Sequence, residues 1–559
     1  MSSSPPSADD ASTSAKKAGL VSVAIFCSRI LGLVREVFLG GLFGGSKWMD
    51  AFMVAFRTPN MLRDLFAEGA LSTAFVTTFS QQAKREGEPS AFLLARKVLT
   101  LTAVGMALIT VIGYFLAPVL VRIFAAGWVV GPDARPELIP STVFWTRIIY
   151  CFIPSLSLAA LVMGILNSRG VFFVPAMASS FFNLGSILAG VLLGYWWEPE
   201  FFAPLWGGEA PADPDEVAGR KALTGMAVGV VVGGLCQLGV QLPSLRATGF
   251  RFRPDFGWND PGVRRVLTLM VPAVISGSAV QVGVAMNTFF ASFLREEGSV
   301  SYLMWAFRLM QLPIGIFGVA IATVTLPAAS RAAADGPTRE FRGIIARGLR
   351  LNMLVTIPSA LGLAVLAEPI IAVIWQRGRF DAADTLATAA ALRAYALGLV
   401  FYSGIKILQP TFYSIDRKWV PMWVSIGAIA LNAALNSLWI FVFRFGHEFL
   451  ALSTTLGSLA NFSALYVLML RFGGRLETGL LFRGLAKVGV AATFLTAVAM
   501  TARLTILAAW AEQGFLANAA GLALTMVLAG AGYFGIAKLL RVAELDQFVS
   551  LVRRKVKRS

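Results

Sequence analysis

The chain alternates between long apolar stretches and short polar connections. Apolar runs recur at 20–43, 49–81, 97–122, 142–166, 173–196, 222–245, 266–293, 300–329, 348–375, 387–413, 420–443, 449–470, 484–506 and 516–538. Each approaches or exceeds the ~20 residues an α-helix needs to cross a hydrocarbon core. The runs are continuous rather than alternating, which favours helices over a transmembrane barrel. The pattern predicts an all-α polytopic membrane protein with about fourteen transmembrane helices. The leading stretch MSSSPPSADDASTSA is polar and rich in Ser and Pro, so residues 1–17 are expected to form a disordered cytoplasmic tail. Arg29 and Arg35 interrupt the first run, and no small-residue cleavage site follows, so it reads as a span and not a signal peptide.

Charge fixes the orientation. The net charge of +17 is carried mainly on one set of alternating loops. That set includes Lys84, Arg85, Arg246, Arg251, Arg253, Arg264, Arg265, Arg339, Arg342, Arg417, Lys418, Arg471, Arg475 and the basic tail 541–559. It holds roughly 30 cations against roughly 10 on the other side, whose largest loop, WWEPEFFAPLWGGEAPADPDEVAGRK, is acidic. Positive loops stay inside, so both termini are predicted cytoplasmic and the number of spans even. Without a soluble domain bearing a basic stripe, no nucleic-acid partner is expected.

Composition narrows the chemistry. Cys27, Cys151 and Cys236 lie far apart in apolar runs and read as small buried hydrophobes. The single histidine, His447, sits in a short loop and reads as solvated. These counts argue against a His/Cys metal centre and against histidine acid–base catalysis, so no cofactor or metal is expected. No P-loop or HExxH motif occurs, and the longest loops hold only about 25 residues, too little for a membrane enzyme's soluble domain. The chain is therefore read as a non-enzyme.

The conspicuous residues are charges inside the spans: Arg29, Arg35, Arg57, Arg63, Arg147, Arg308, Arg393 and Lys406. Each costs at least ~2.5–3.5 kcal/mol at a bilayer centre. They need a watered cavity, anionic partners or an interfacial position. The densest stretch is FRTPNMLRDLFAEGALSTAF, from Phe56 to Phe75. At about 100° per residue, Asp50, Arg57, Asp64 and Glu68 fall within roughly 40° on one helix face, with Arg63 about 120° from Arg57. Pro59 removes a backbone donor and disfavours helix at Thr58, which suits a broken helix lining a cavity. Two readings stand. In one, Arg57 is neutralised by Asp50 or Asp64. In the other, the surplus of Arg29, Arg35 and Arg63 over nearby acids binds an anion, for which guanidinium is suited because it grips phosphate with two parallel donors. Arg147 is expected to reach an interface, and Lys406 to pair or to line a pathway. A short internal echo, VAFRTPN from Val54 and WAFRLMQLP from Trp305, places an A-F-R element with a following proline in the second and eighth spans. Paired interrupted helices point to a transporter's central site.

The motifs SRILGLVREVFLGGLFG, MDAFMVAFRTPNMLRDLFAEGALSTAF, GILNSRGVFFVPA, NTFFASFL, FRLMQLPIGIFGVAIATVTLP and QPTFYSIDRKWVP resemble, in order over about residues 18–540, the MurJ (MviN) lipid II flippases. The resemblance implies an alternating-access exporter of the multidrug/oligosaccharidyl-lipid/polysaccharide superfamily. It implies an N-lobe over 18–246, a C-lobe over 262–471, and two further helices over 480–540 forming a groove for the lipid tail. The implied cargo is lipid II, the undecaprenyl-diphosphate disaccharide-pentapeptide, moved from the cytoplasmic to the outer leaflet of the bacterial inner membrane. A polysaccharide-lipid or drug exporter of the same superfamily is the alternative. The implied partners are lipid II, membrane lipids and other cell-wall synthesis proteins, with the chain acting as a monomer. The family's cavity arginines match Arg29, Arg35, Arg63 and Arg308, with Ser28 and Asn60 beside them. Arg57 stands where a lysine is usual. Asp50 and Glu68 match family acids and, with Asp64, are the charge partners. Phe307 departs from the Asp that often precedes the arginine at 308. Positions aligned with sodium-binding acids are the neutral Asn287, Asn432 and Asn436.

Overall fold

Helix formation follows the apolar runs throughout the computed structural model, which describes residues 8–64, 71–131, 133–206, 219–334, 336–508 and 514–546. Among these residues there is no strand. Eleven helical stretches are long and apolar enough to cross a membrane. The protein is thus all-α and multi-pass. The predicted runs 20–43, 49–81 and 266–293 are helical where described but lie outside those eleven, so length and composition alone do not fix the count at fourteen.

The chain forms two compact units that divide after Phe293. The first contains α1 (Ala8–Phe43), α2 (Lys47–Arg63), α3 (Ser72–Glu86), α4 (Glu88–Phe124), α5 (Leu138–Tyr150), α6 (Ile153–Ser168), α7 (Phe173–Trp197), α8 (Gly219–Gly239), α9 (Leu242–Ala247) and α10 (Pro261–Ala291). Its closest helix pair is α7 with α8, and small residues explain why. A methyl group added at Gly225 would fall 2.5 Å from the Gly194 nitrogen, and one at Gly229 2.5 Å from the Ser186 carbonyl. Small residues four apart on both helices, Ser186, Gly190 and Gly194 against Gly225, Gly229 and Gly233, let the backbones touch where lipid supplies no hydrophobic drive for association. Beneath α3, α4 and α6, Phe75, Phe79, Leu94, Leu161 and Ile165 form a buried core. Asp260 caps α10, accepting the Gly262 amide at 2.8 Å and Lys97 Nζ at 2.6 Å. Burial pushes its carboxyl up, but Lys97 and the Gly262 and Val263 amides outweigh that and hold it below the usual range.

The second unit contains α11 (Ser299–Pro313), α12 (Val319–Ala332), α13 (Arg339–Val365), α14 (Ala367–Trp375), α15 (Ala382–Tyr413), α16 (Trp419–Ser437), α17 (His447–Phe472), α18 (Thr478–Leu504) and α19 (Phe515–Leu539). Its core joins α13, α15, α17, α18 and α19 through Phe341, Leu354, Leu408, Met469, Val488 and Tyr533. The Tyr533 hydroxyl donates to the Leu354 carbonyl at 2.7 Å, pinning α19 to α13. At the cation-rich end, Arg350 bonds both Glu477 and Glu544, which ties α13 to the chain on either side of α18 and α19.

Several expectations are corrected. Residues 8–17 are the helical start of α1, while residues 1–7 and the tail beyond 546 lie outside the described residues. Pro59 lies within α2 and Thr58 stays helical; both are buried, so packing holds the turn that proline disfavours locally. The run 142–166 divides at Cys151 and Phe152, and Pro154 in the first turn starts the new helix α6. Cys151 is exposed, and Cys27 and Cys236 are half-buried rather than buried. His447 is 2% exposed and not solvated, because it is the first residue of α17 and is covered by α11 and α15.

Candidate functional site

The charged residues of the first unit sit on α1 and α2. On α1, Ser28 is half-buried and Arg29 exposed. The Ser28 carbonyl accepts from Asn183 Nδ2 at 3.3 Å, which joins α1 to α7. Arg35 donates through Nη2 to Glu36 at 3.0 Å and lies 5.5 Å from the Phe182 ring centroid. Both members of this pair are largely buried, so the cation is balanced by an acid and by an aromatic face.

Helix α2 begins with Ser46, whose side chain accepts the Met49 amide at 3.3 Å. Asp50 follows in the first turn and is 3% exposed. There the helix N-terminus favours a carboxylate. Two turns on, Arg57 is half-buried beside the buried Thr58 and Pro59.

The end of α2 is the most connected point. Arg63 donates to Asp64 Oδ1 through Nε at 3.0 Å and Nη2 at 2.7 Å. The other oxygen, Oδ2, accepts from Asn60 at 3.4 Å and from Gln281 on α10 at 3.1 Å. Asp64 thus gathers Asn60, Arg63 and Gln281 around one carboxyl group, joining α2 to α10. The 100° wheel set Asp64 with Arg57 and Arg63 apart. Asp64 takes its neighbour Arg63 as a partner. Gln281 was missed, although it and Asn287 are the two side-chain amides in the apolar run 266–293, which was the available signal. Glu68 lies outside the described residues.

In the second unit, Arg308 is half-buried on α11. Phe307, in the position of the departed acid, packs edge-on against Tyr395 at 5.4 Å and Tyr402 at 6.5 Å. Helix α11 ends at Pro313 and passes into a π-helical segment, Ile314–Gly318. Such turns are frequent at functional sites.

Asn432 and Asn436 are buried in a neutral network. Asn436 donates to Asn432 at 3.3 Å, Asn432 donates to Ser453 at 3.0 Å, and Ser453 donates to Asn436. Asn287 lies on α10, in the first unit. Among the described residues, no three His, Cys, Asp or Glu side chains are grouped to hold a metal. Of the remaining intramembrane cations, Arg147 lies 4.8 Å over the Tyr114 ring and Lys406 is exposed. Arg393 shares Glu368 with Arg503, at 3.2 and 2.6 Å. These two arginines line an otherwise largely apolar cavity of about 510 Å³ in the second unit, whose walls include none of the sequence-assigned site residues.

Known proteins resemble the chain along most of its length. The family model described as lipid II flippase MurJ matches residues 39–521. A probable lipid II flippase MurJ of Vibrio cholerae serotype O1 is 34% identical over 533 residues, covering 94% of this chain and 96% of its own. The solved inward closed conformation of lipid II flippase MurJ matches with a TM-score of 0.69 at 24% identity, covering 93% of this chain and all of that one. An inward-facing multidrug resistance MATE transporter of the MOP superfamily matches with a TM-score of 0.60 at 14% identity, over 82% of this chain and 96% of its own. The last two likenesses concern the fold.

Proposed function

The chain belongs to the lipid II flippase MurJ family, and on that premise we propose that it carries lipid II from the cytoplasmic to the outer leaflet of the bacterial inner membrane, with both termini cytoplasmic. A diphosphate needs concentrated positive charge, and a polyprenyl tail needs lipid-like surroundings. Arg29, Arg35, Arg63 and Arg308 are the groups proposed to bind the diphosphate, with Ser28, Asn60 and Arg57 supporting them. Asp50, Asp64 and Glu68 set the positions of these cations.

The observation that carries this reading is the Asp64 node: an arginine inside an apolar bundle, held by a carboxylate that two amides also hold. Arg35 and Arg63 rest on acids, which lowers the cost of keeping them in the membrane. A diphosphate offers more charge and more acceptor oxygens than one carboxylate and competes for their donors. No covalent step is involved.

The two lobes, 18–246 and 262–471, alternate access, and the helices of 480–540 guide the tail. The docking of α19 through Tyr533 supports a fixed place for those helices on the second unit. A polysaccharide-lipid or drug exporter is the rival reading within the superfamily. Drug exporters for cationic cargo favour acids, whereas the charges here are dominated by arginine.

The test is complementation in cells depleted of their own flippase. Arg29→Ala, Arg35→Ala, Arg63→Ala and Arg308→Ala are each expressed to equal level in the membrane. Loss of growth is expected for each. Full growth from all four contradicts the assigned site.

A further inference from the structure

We propose that His447 is held as the doubly protonated imidazolium and acts as a proton-operated latch, tying the segment before α11 to α15 and α17 in the second unit. Its ring is buried, and each nitrogen meets an oxygen. Nδ1 lies 2.7 Å from Glu296 Oε2, and Nε2 lies 2.8 Å from the Ala387 carbonyl. A carbonyl only accepts, and an ionised carboxylate only accepts. Neither neutral tautomer of imidazole has two N–H groups, so only the imidazolium satisfies both. Glu296 is 47% exposed, so the ring meets a carboxylate that is in contact with solvent. The pair therefore places a buried cation against a hydrated anion.

Other titratable groups surround the ring, and of these Glu448 favours the same state. Glu448, from the histidine's own helix, has an oxygen 3.7 Å from Nδ1. From α11, the Tyr302 ring packs at 5.4 Å, and its hydroxyl donates to Asp384 of α15 at 2.6 Å. Asp384 is closed in a capping box with Asp381. Arg295 precedes Glu296 in the chain.

Three separate pieces of chain meet at this one ring. When it loses a proton, one of the two bonds must be given up, and a buried ring nitrogen is left facing an acceptor. The bond to Glu296 is the exposed one and goes first, releasing residues 294–298. Under the proposed orientation, which this inference uses only to assign the compartment, that segment faces the outside. The latch is then closed by external acid and opened by external base.

The chain has one histidine, so ¹⁵N-histidine labelling of the untagged full chain in lipid nanodiscs reports this ring alone. At pH 7 both ring nitrogens are expected to carry protons. The deprotonation midpoint is expected above that of free histidine: burial opposes the imidazolium, but the Glu296 carboxylate and the Ala387 carbonyl favour it and outweigh that cost. Glu296→Gln is expected to lower that midpoint by about one unit, and to speed hydrogen exchange at residues 299–302 about fivefold, the scale of one lost hydrogen bond. A ring with one proton at pH 7 overturns the proposal whether or not the variant folds. Exchange unchanged by Glu296→Gln in a folded variant overturns the latch. Neither result bears on lipid II transport, so the family reading stands or falls separately.

Discussion

At the scale of single residues, the site works through what holds each arginine. Arg63 and Asp64 form one unit: both Asp64 oxygens are engaged, one by Arg63 and the other by Asn60 and Gln281. If Asp64 serves to position Arg63, removing either should cost about the same, and removing both should cost little more. Arg63→Ala and Asp64→Ala are each expected to slow lipid II transport by at least about tenfold, equivalent to ~1.4 kcal/mol. The double variant is expected within about twofold of the worse single one. Additive losses in reconstituted vesicles contradict the pairing. The residue types here were legible in the sequence, because arginine and aspartate in an apolar run demand a reason. Their pairing was not legible. A helical wheel gives the direction of each side chain, not which of several neighbouring charges bond, and Arg63 reaches back to the adjacent Asp64. His447 failed for a related reason: a short polar loop suggested water, whereas the packing of α11 and α15 covers the ring.

At the scale of elements, apolar run length placed all the long helices, and their boundaries usually fell within a few residues. What it missed were the breaks inside runs. The division between α5 and α6 and the π-helical segment Ile314–Gly318 lie within single apolar runs, so hydropathy passes straight over them. Proline is an imperfect guide as well. Pro154 begins a helix and Pro313 ends one, but Pro59 is absorbed into α2. The α7–α8 contact was readable in principle from its small residues at four-residue spacing, and it yields a sharp expectation. Gly229 has no room for a side chain, since an added methyl would fall 2.5 Å from the Ser186 carbonyl. Gly229→Leu must separate two touching backbones and is expected to destabilise the first unit by at least ~1–3 kcal/mol, the cost of overpacking. The measurement is the thermal midpoint of the purified protein in detergent. An unchanged midpoint refutes the close packing. Gly427, on α16, has nothing within 4 Å of the added methyl and serves as the control.

At the scale of the molecule, the chain spends bilayer volume on arginines that its apolar composition makes costly, and a transporter of an anionic amphiphile accounts for that expense. The two units are each built around their own packed helices, and each carries one A-F-R helix, α2 in the first and α11 in the second. That repetition is faint in the sequence, at seven to nine residues. The family model, covering residues 39–521, spans both units. The Asn432–Asn436–Ser453 network is neutral, so transport should not depend on that element binding a cation. The central claim is that guanidinium groups bind the diphosphate, and affinity for lipid II measures it most directly. Purified wild type and the Arg29→Ala, Arg35→Ala, Arg63→Ala and Arg308→Ala variants are titrated with lipid II in nanodiscs at fixed ionic strength. Each variant is expected to bind at least about tenfold more weakly, ~1.4 kcal/mol; wild-type affinity in all four contradicts the account.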